Sequence, residues 1–147
     1  LLDFISKIKK LPVVVCPHPK HNKKEASEKY NFPLSETSTL NTVASADIVV
    51  AHSSTSLNFA ILLEKPIILY KSRPHKYSYF HSNSLKAYQR ELNLEIFDCD
   101  TIKNFYSKEI IVNKLLYQNY IDNFLLPKGV YLKSYEILNN YFNKKCY

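Results

Sequence analysis

Hydrophobic and polar positions along the chain switch between two periods, and the switches mark its elements. Ile48, Val49 and Val50 form an unbroken β-branched run, as in a parallel strand covered on both faces, and Ile67, Ile68 and Leu69 repeat it. Between these runs Leu57, Ala60, Ile61 and Glu64 fall at helical spacing. The first three are placed to face a sheet and Glu64 to tip toward water. Pro66 is expected to end that helix. The stretch from Asp47 to Tyr70 therefore reads as one βαβ unit, around which the rest of the chain is organised.

Upstream, Leu1, Phe4, Ile5 and Ile8 predict an amphipathic helix over 1–10, broken by Pro12 ahead of a short buried strand over 13–16. That strand runs into Pro17-His18-Pro19, where two prolines fix the backbone on either side of one histidine. Residues 20–30 are polar and read as a loop with a short helix. Pro33-Leu34-Ser35 turns the chain, and Leu40, Val43 and Ala44 predict a short helix over 36–46. Downstream of the βαβ unit, 71–81 is basic and aromatic without a regular apolar period, hence a long loop. Ser84 is expected to cap a helix ending at Leu92, and 94–97 to form a fourth strand. From Asp100 the pattern is helical to the end, interrupted at Pro127-Lys128-Gly129, with Tyr131, Ser134, Tyr135, Leu138 and Phe142 along an amphipathic stretch over 130–142. The expected class is α/β, a Rossmann-like parallel sheet with helices on both faces, in a single domain over 1–147.

Composition changes this picture little and adds a partner. With 147 residues, 46% hydrophobic and 14% aromatic, the chain can build one real core and is not of the disordered class. A formal charge of +7 favours an anionic partner, whether nucleotide, nucleic acid or phospholipid surface. Cys16, Cys99 and Cys146 are odd in number and lack CxxC spacing, which argues for a reducing compartment and against a zinc site or disulfide framework. No apolar run approaches the roughly 20 residues that span a bilayer, and no signal peptide is visible, so a cytoplasmic place is expected. The chain opens at Leu1 inside a helical pattern and contains no Met, which reads as the C-terminal part of a longer protein.

The single glycine, Gly129, excludes the Gly-rich dinucleotide fingerprint and the P-loop, both of which need close backbone approach to phosphates. A phosphate bound here must be met by hydroxyls, a helix N-terminus and basic side chains. His18 and the cluster Ser53, Ser54, Thr55 and Ser56 supply that set, each at the C-terminal end of a predicted parallel strand, where open α/β sheets bind ligands. The structural alternative has equal weight: a rigid turn at 17–19 and Ser53 as a helix cap. Asp98-Cys99-Asp100 has the look of a metal-binding DxD, but Asp100 is well placed to cap a helix from Thr101, and the structural reading is preferred. His52 faces either the ligand or the sheet. His21, His75 and His81 have no carboxylate or cysteine at ligand spacing, so no metal is expected. Tyr77, Tyr79 and Phe80 beside Lys71, Arg73 and Lys76 read as packing rather than base stacking, and Lys23-Lys24 and Lys144-Lys145 as solvated surface.

His18-Pro19 after a strand, then Ala46-Asp-Ile-Val-Val-Ala-His-Ser-Ser-Thr-Ser56 and Glu64-Lys-Pro-Ile-Ile68, resembles the C-terminal half of GT-B-type glycosyltransferases. The likeness is to bacterial capsule and lipopolysaccharide enzymes with "HP" and "SS/ST" motifs, sialyltransferase-like or Kdo-transferase-like, which use CMP-activated acidic sugars. It covers 11–70 well and the remainder only by order of elements. The resemblance implies a transferase without cofactor or metal. In it, His18, Pro19, Ser53, Ser54, Thr55 and Ser56 hold the donor's nucleotide phosphate, and His18 serves catalysis. It implies a CMP-sugar donor, a saccharide or lipid-linked acceptor, an N-terminal acceptor domain outside this chain, and a place in the cytoplasm or peripherally at the inner face of the membrane.

Two departures matter. UDP-sugar members carry an acidic residue early in the helix, where Phe59 stands here, which turns the expectation away from UDP. The acidic motif that supplies the base in HP/SS families lies in the N-terminal half, so the chain is expected to bind a donor without completing catalysis. Two rivals stand beside this reading. A UDP-sugar epimerase of the same architecture would need catalytic carboxylates at the cleft. A non-catalytic anion or nucleic-acid module draws on the +7 charge but shows no motif, and no nucleic acid is expected as partner.

Overall fold

A computed structural model describes the chain at residue 6 and over 10–18, 23–71, 79–100 and 110–126. The order of elements is α1 (Lys23–Lys29), α2 (Thr39–Ser45), β1 (Val49–Ala51), α3 (Leu57–Leu62), β2 (Ile67–Lys71), α4 (Tyr79–Leu92), β3 (Ile96–Asp98) and α5 (Lys114–Tyr120), which passes into a π-helical turn over Ile121–Leu125. The three strands form one parallel sheet in the order β1-β2-β3, with α3 and α4 as the crossovers. The fold is thus of mixed α/β type. The register sets Ala51 beside Leu69, Leu69 beside Ile96, and Lys71 beside Asp98. The last pair is joined at 3.4 Å between Nζ and Oδ2.

β2 is the centre of the sheet and is covered on both faces. Ile67 and Leu69 share one face and pack in the main core with Val43, Leu57, Ala60, Ile61, Leu85, Leu92 and Tyr117. Ile68 points the opposite way and is 1% exposed. The α3 residues buried here are the ones the helical spacing placed toward a sheet, and Glu64 lies outside, paired with Lys114.

Both crossover helices end in the same way. Glu64 (φ 50°) and Asn93 (φ 51°) adopt the left-handed conformation. The Lys65 N–H then donates to Ala60 O (2.8 Å) and the Leu94 N–H to Gln89 O (3.1 Å). This is the Schellman closure that glycine usually supplies. With the chain's single glycine at 129, side chains occupy both positions, at a conformational cost of order 1 kcal/mol each and less for Asn. The α3 helix therefore stops at Leu62 by its own closure, not at Pro66 as predicted.

Several predicted elements are corrected. The segment 13–16 is not a buried strand of the sheet. Exposure alternates along it, with Val14 50% exposed and Cys16 and His18 also outward, and among the described residues its pairing is one isolated parallel bridge, Val15 to Leu34. The Val15 N–H donates to Pro33 O (2.9 Å) and the Ser35 N–H to Val15 O (2.8 Å). Lengthening a parallel ladder by one step in either direction would require an N–H from residue 17 or from residue 33, and both are prolines. The bridge is stopped on each side by chemistry.

The predicted helix over 36–46 starts at Thr39, because the Ser38 side chain accepts the Asn41 N–H and caps it. The helix expected from Ser84 is already formed at Tyr79, so the last part of the predicted loop over 71–81 is helical and Ser84 is internal. The predicted strand over 94–97 is set at Ile96–Asp98. Of the predicted helices over 1–10 and from Asp100 onward, most of the first, 101–109 and 127–142 lie outside the described residues, as does Gly129. Among the described residues no helix is long and apolar enough to cross a membrane.

Candidate functional site

β1 ends at Ala51, and the chain then crosses the C-terminal edge of the sheet as His52-Ser53-Ser54-Thr55-Ser56 before Leu57, fully buried, pins the start of α3. This is the position where a parallel sheet presents a ligand-facing turn. Because Ala51 pairs with Leu69, His52 lies beside Tyr70, and the two rings meet edge-on with centroids 5.7 Å apart. The His52 Nδ1 stands 3.3 Å from Ser53 O. A carbonyl only accepts, so this contact uses the Nδ1–H form. Burial pushes the His52 imidazole below its usual 6.5; the Ser53 carbonyl opposes the shift and the neighbouring His81 adds to it. His52 is therefore half-buried against the sheet and neutral at pH 7.

The turn is held from α4 at two points. His81, in the first turn of that helix, places Nδ1 2.7 Å from Ser53 Oγ. Tyr88, seven residues and about two turns further on the same side, directs its hydroxyl at Ser54 O and Asn58 Oδ1, each at 3.4 Å. Tyr88 in turn stacks on Tyr120, which packs on Phe124 of the π-helical turn. Burial and the neighbouring Tyr88 raise the Tyr120 phenol well above its ordinary value.

Inside the turn, Ser54 Oγ and Ser56 Oγ are 2.7 Å apart, and the Ser56 N–H points at Ser54 Oγ at 3.3 Å. The N–H groups of Leu57, Asn58 and Phe59 donate back to Ser54, Thr55 and Ser56 carbonyls at 3.1 Å each. With six residues in α3 and these first N–H groups engaged, the expected helix-N-terminus donation gives way to hydroxyls as what the turn offers a ligand. Ser53, Ser54 and Ser56 are half-buried and Thr55 is exposed. In the sequence His81 stands out only as a possible metal ligand, and its spacing gives it no role. A polar residue in the crossover after the next strand was the available signal.

His18 is exposed on the outward side of the proline-bounded segment, whose backbone pairing among the described residues is with 33–35 and not with the sheet. Its partner in the motif, Pro19, lies outside the described residues, as do His21, His75, Arg73, Lys76, Tyr77 and Cys146. Phe59 packs against the core and brings no polar group to the turn. Asp98 pairs with Lys71 and accepts the Asp100 N–H at 3.0 Å, while Thr101 lies outside the described residues. Tyr79 and Phe80 are exposed, so the packing expected of them is not what the described structure shows. Among the described residues no three His, Cys, Asp or Glu side chains converge as a metal site. No family model, curated protein or solved structure matches this chain.

Proposed function

We propose that this chain is the donor-binding part of a GT-B-type glycosyltransferase that takes a CMP-activated sugar and serves bacterial surface-polysaccharide assembly. The observation that carries the reading is the hydroxyl-lined turn 53–56 at the C-terminal edge of a parallel sheet, braced from α4 by His81 and Tyr88. A phosphate seated there would meet the hydroxyls of Ser53, Ser54, Thr55 and Ser56. As the glycosidic bond to the phosphate breaks, negative charge grows on the leaving group, and fixed donors stabilise it without reorganisation. In this reading His18 approaches the same phosphate and donates a hydrogen bond or proton, and Pro19 holds that histidine's backbone. In this reading a domain outside this chain binds the acceptor, saccharide or lipid-linked, and supplies the catalytic base.

The test is a titration of the 15N-labelled protein with CMP, UDP and GDP at fixed ionic strength. The expected result is that CMP moves the amide signals of 53–56 most. Equal response to all three removes the CMP assignment. Binding that ignores the base and falls steeply with salt favours the anion-binding module instead.

A further inference from the structure

We propose that His81 is a positioning residue for the phosphate site, acting through Ser53, an inference that rests on the donor reading of the 53–56 turn. The Ser53 hydroxyl has one proton and shares a 2.7 Å contact with His81 Nδ1. Only two arrangements satisfy it. If Nδ1 is unprotonated, Ser53 gives its proton to the ring and shows only lone pairs to a ligand, which repel an anion. If Nδ1 carries the proton, the ring donates to Ser53 Oγ and the serine proton is released to a phosphate oxygen. An anion therefore selects the Nδ1–H form of His81.

Two rings lie near that of His81. Phe80 meets it edge-on at 5.7 Å between centroids and His52 at 6.5 Å. Tyr88 ties the same face of α4 to the Ser54 carbonyl, so the helix cannot shift relative to the turn without breaking both contacts. The role requires nothing from His18 or from residues outside the described structure. It assigns α4, and not only the strand-to-helix turn, to the site.

The test reads the ring itself. In wild-type protein with 15N-labelled histidine, the imidazole shifts of His81 report which nitrogen is protonated, first without ligand, then with inorganic pyrophosphate and with CMP. Pyrophosphate is expected to raise the Nδ1–H fraction. His81→Ala leaves the Ser53 hydroxyl able to donate but no longer held, and is expected to weaken pyrophosphate binding by roughly 2- to 10-fold, the range of the one neutral hydrogen bond removed. His81→Asn, whose amide nitrogen can take the place of Nδ1, is expected to restore most of it. A bound state with Nδ1 unprotonated overturns the proposal in the wild type, whatever the variants do. So does undiminished binding by His81→Ala, or an Asn variant no better than Ala at equal thermal stability. Pyrophosphate binding that depends on His81 without any response to CMP keeps this inference and removes the CMP donor. No response of 53–56 to either probe removes both.

Discussion

Val13-Val-Val and Ile67-Ile-Leu are nearly the same in hydrophobic pattern, and both read as buried strands from that pattern. One is an outward-alternating segment with a single bridge, the other the buried centre of a sheet. Apolar character does not separate them. The difference is hydrogen-bonding capacity: the first is enclosed by Pro12 and Pro17 and faces Pro33, whereas the second offers an unbroken row of N–H and C=O groups to strands on both sides. A β-branched run becomes a central strand only when the residues around it, and around its partner, can continue the ladder.

The largest expected effect breaks this comparison directly. Leu69→Ala should destabilise the protein by about 2 to 5 kcal/mol through a cavity in the core. Val14→Ala, at a half-exposed position, should stay within about 0.5 kcal/mol. Equal losses in chemical denaturation would mean that the two segments are buried alike in solution.

The functional counterpart is next in size. If the chain serves the proposed glycosyl transfer, Ser54→Ala and His18→Ala should each lower turnover by on the order of 10²- to 10³-fold, with melting temperature little changed. Unchanged turnover in His18→Ala would leave that residue as part of a rigid turn. A large fall in melting temperature would make its role one of packing.

Two titrations sharpen the contrast between the core end and the site end of the βαβ unit. At the core end the Tyr117 hydroxyl donates to Lys65 O at 3.0 Å, and burial pushes the phenol from 10.0 up to about 12. Above pH 10 the unfolded chain loses this proton while the folded chain keeps it. Stability is therefore unaffected by the titration of this group below pH 10 and declines as pH rises from there toward 12. Tyr117→Phe should flatten the alkaline limb. At the site end, His52 lies below 6.5, so the unfolded chain takes up a proton first on acidification. Stability is complete above pH 6.5 and falls as pH drops from there to the folded value. Denaturation midpoints of His52→Gln against pH should lack that acid slope, and a slope that persists assigns it to another group.

The smallest effect concerns Pro17. Pro17→Ala restores an N–H opposite Ser35 O and should lengthen the bridge by one step, visible as slow hydrogen exchange at residue 17. Net stability should change by less than about 1 kcal/mol, because the new bond offsets the looser unfolded chain. Fast exchange at residue 17 would show that something other than the missing N–H halts the ladder.

Local chemistry alone decided the unit from 47 to 70. A run such as Ile67-Ile-Leu, a helical repeat of Leu57, Ala60 and Ile61, and a cap such as Ser38 act within a few residues, where period and propensity are readable. The near absence of glycine was equally plain, and it removed whole classes of phosphate site. Other features were settled only by contacts far apart in sequence. How far the bridge at Val15 extends depends on a proline at 33. The start of α4 at Tyr79 carries no apolar period, since Tyr79 and Phe80 are exposed, and its first turn is tied to the sheet edge by His81 reaching Ser53, 28 positions earlier. The clasp of Tyr88 on Ser54 spans 34 positions. A polar side chain in a helix has the same local signature whether it faces water or a serine across the fold, and only packing distinguishes the two.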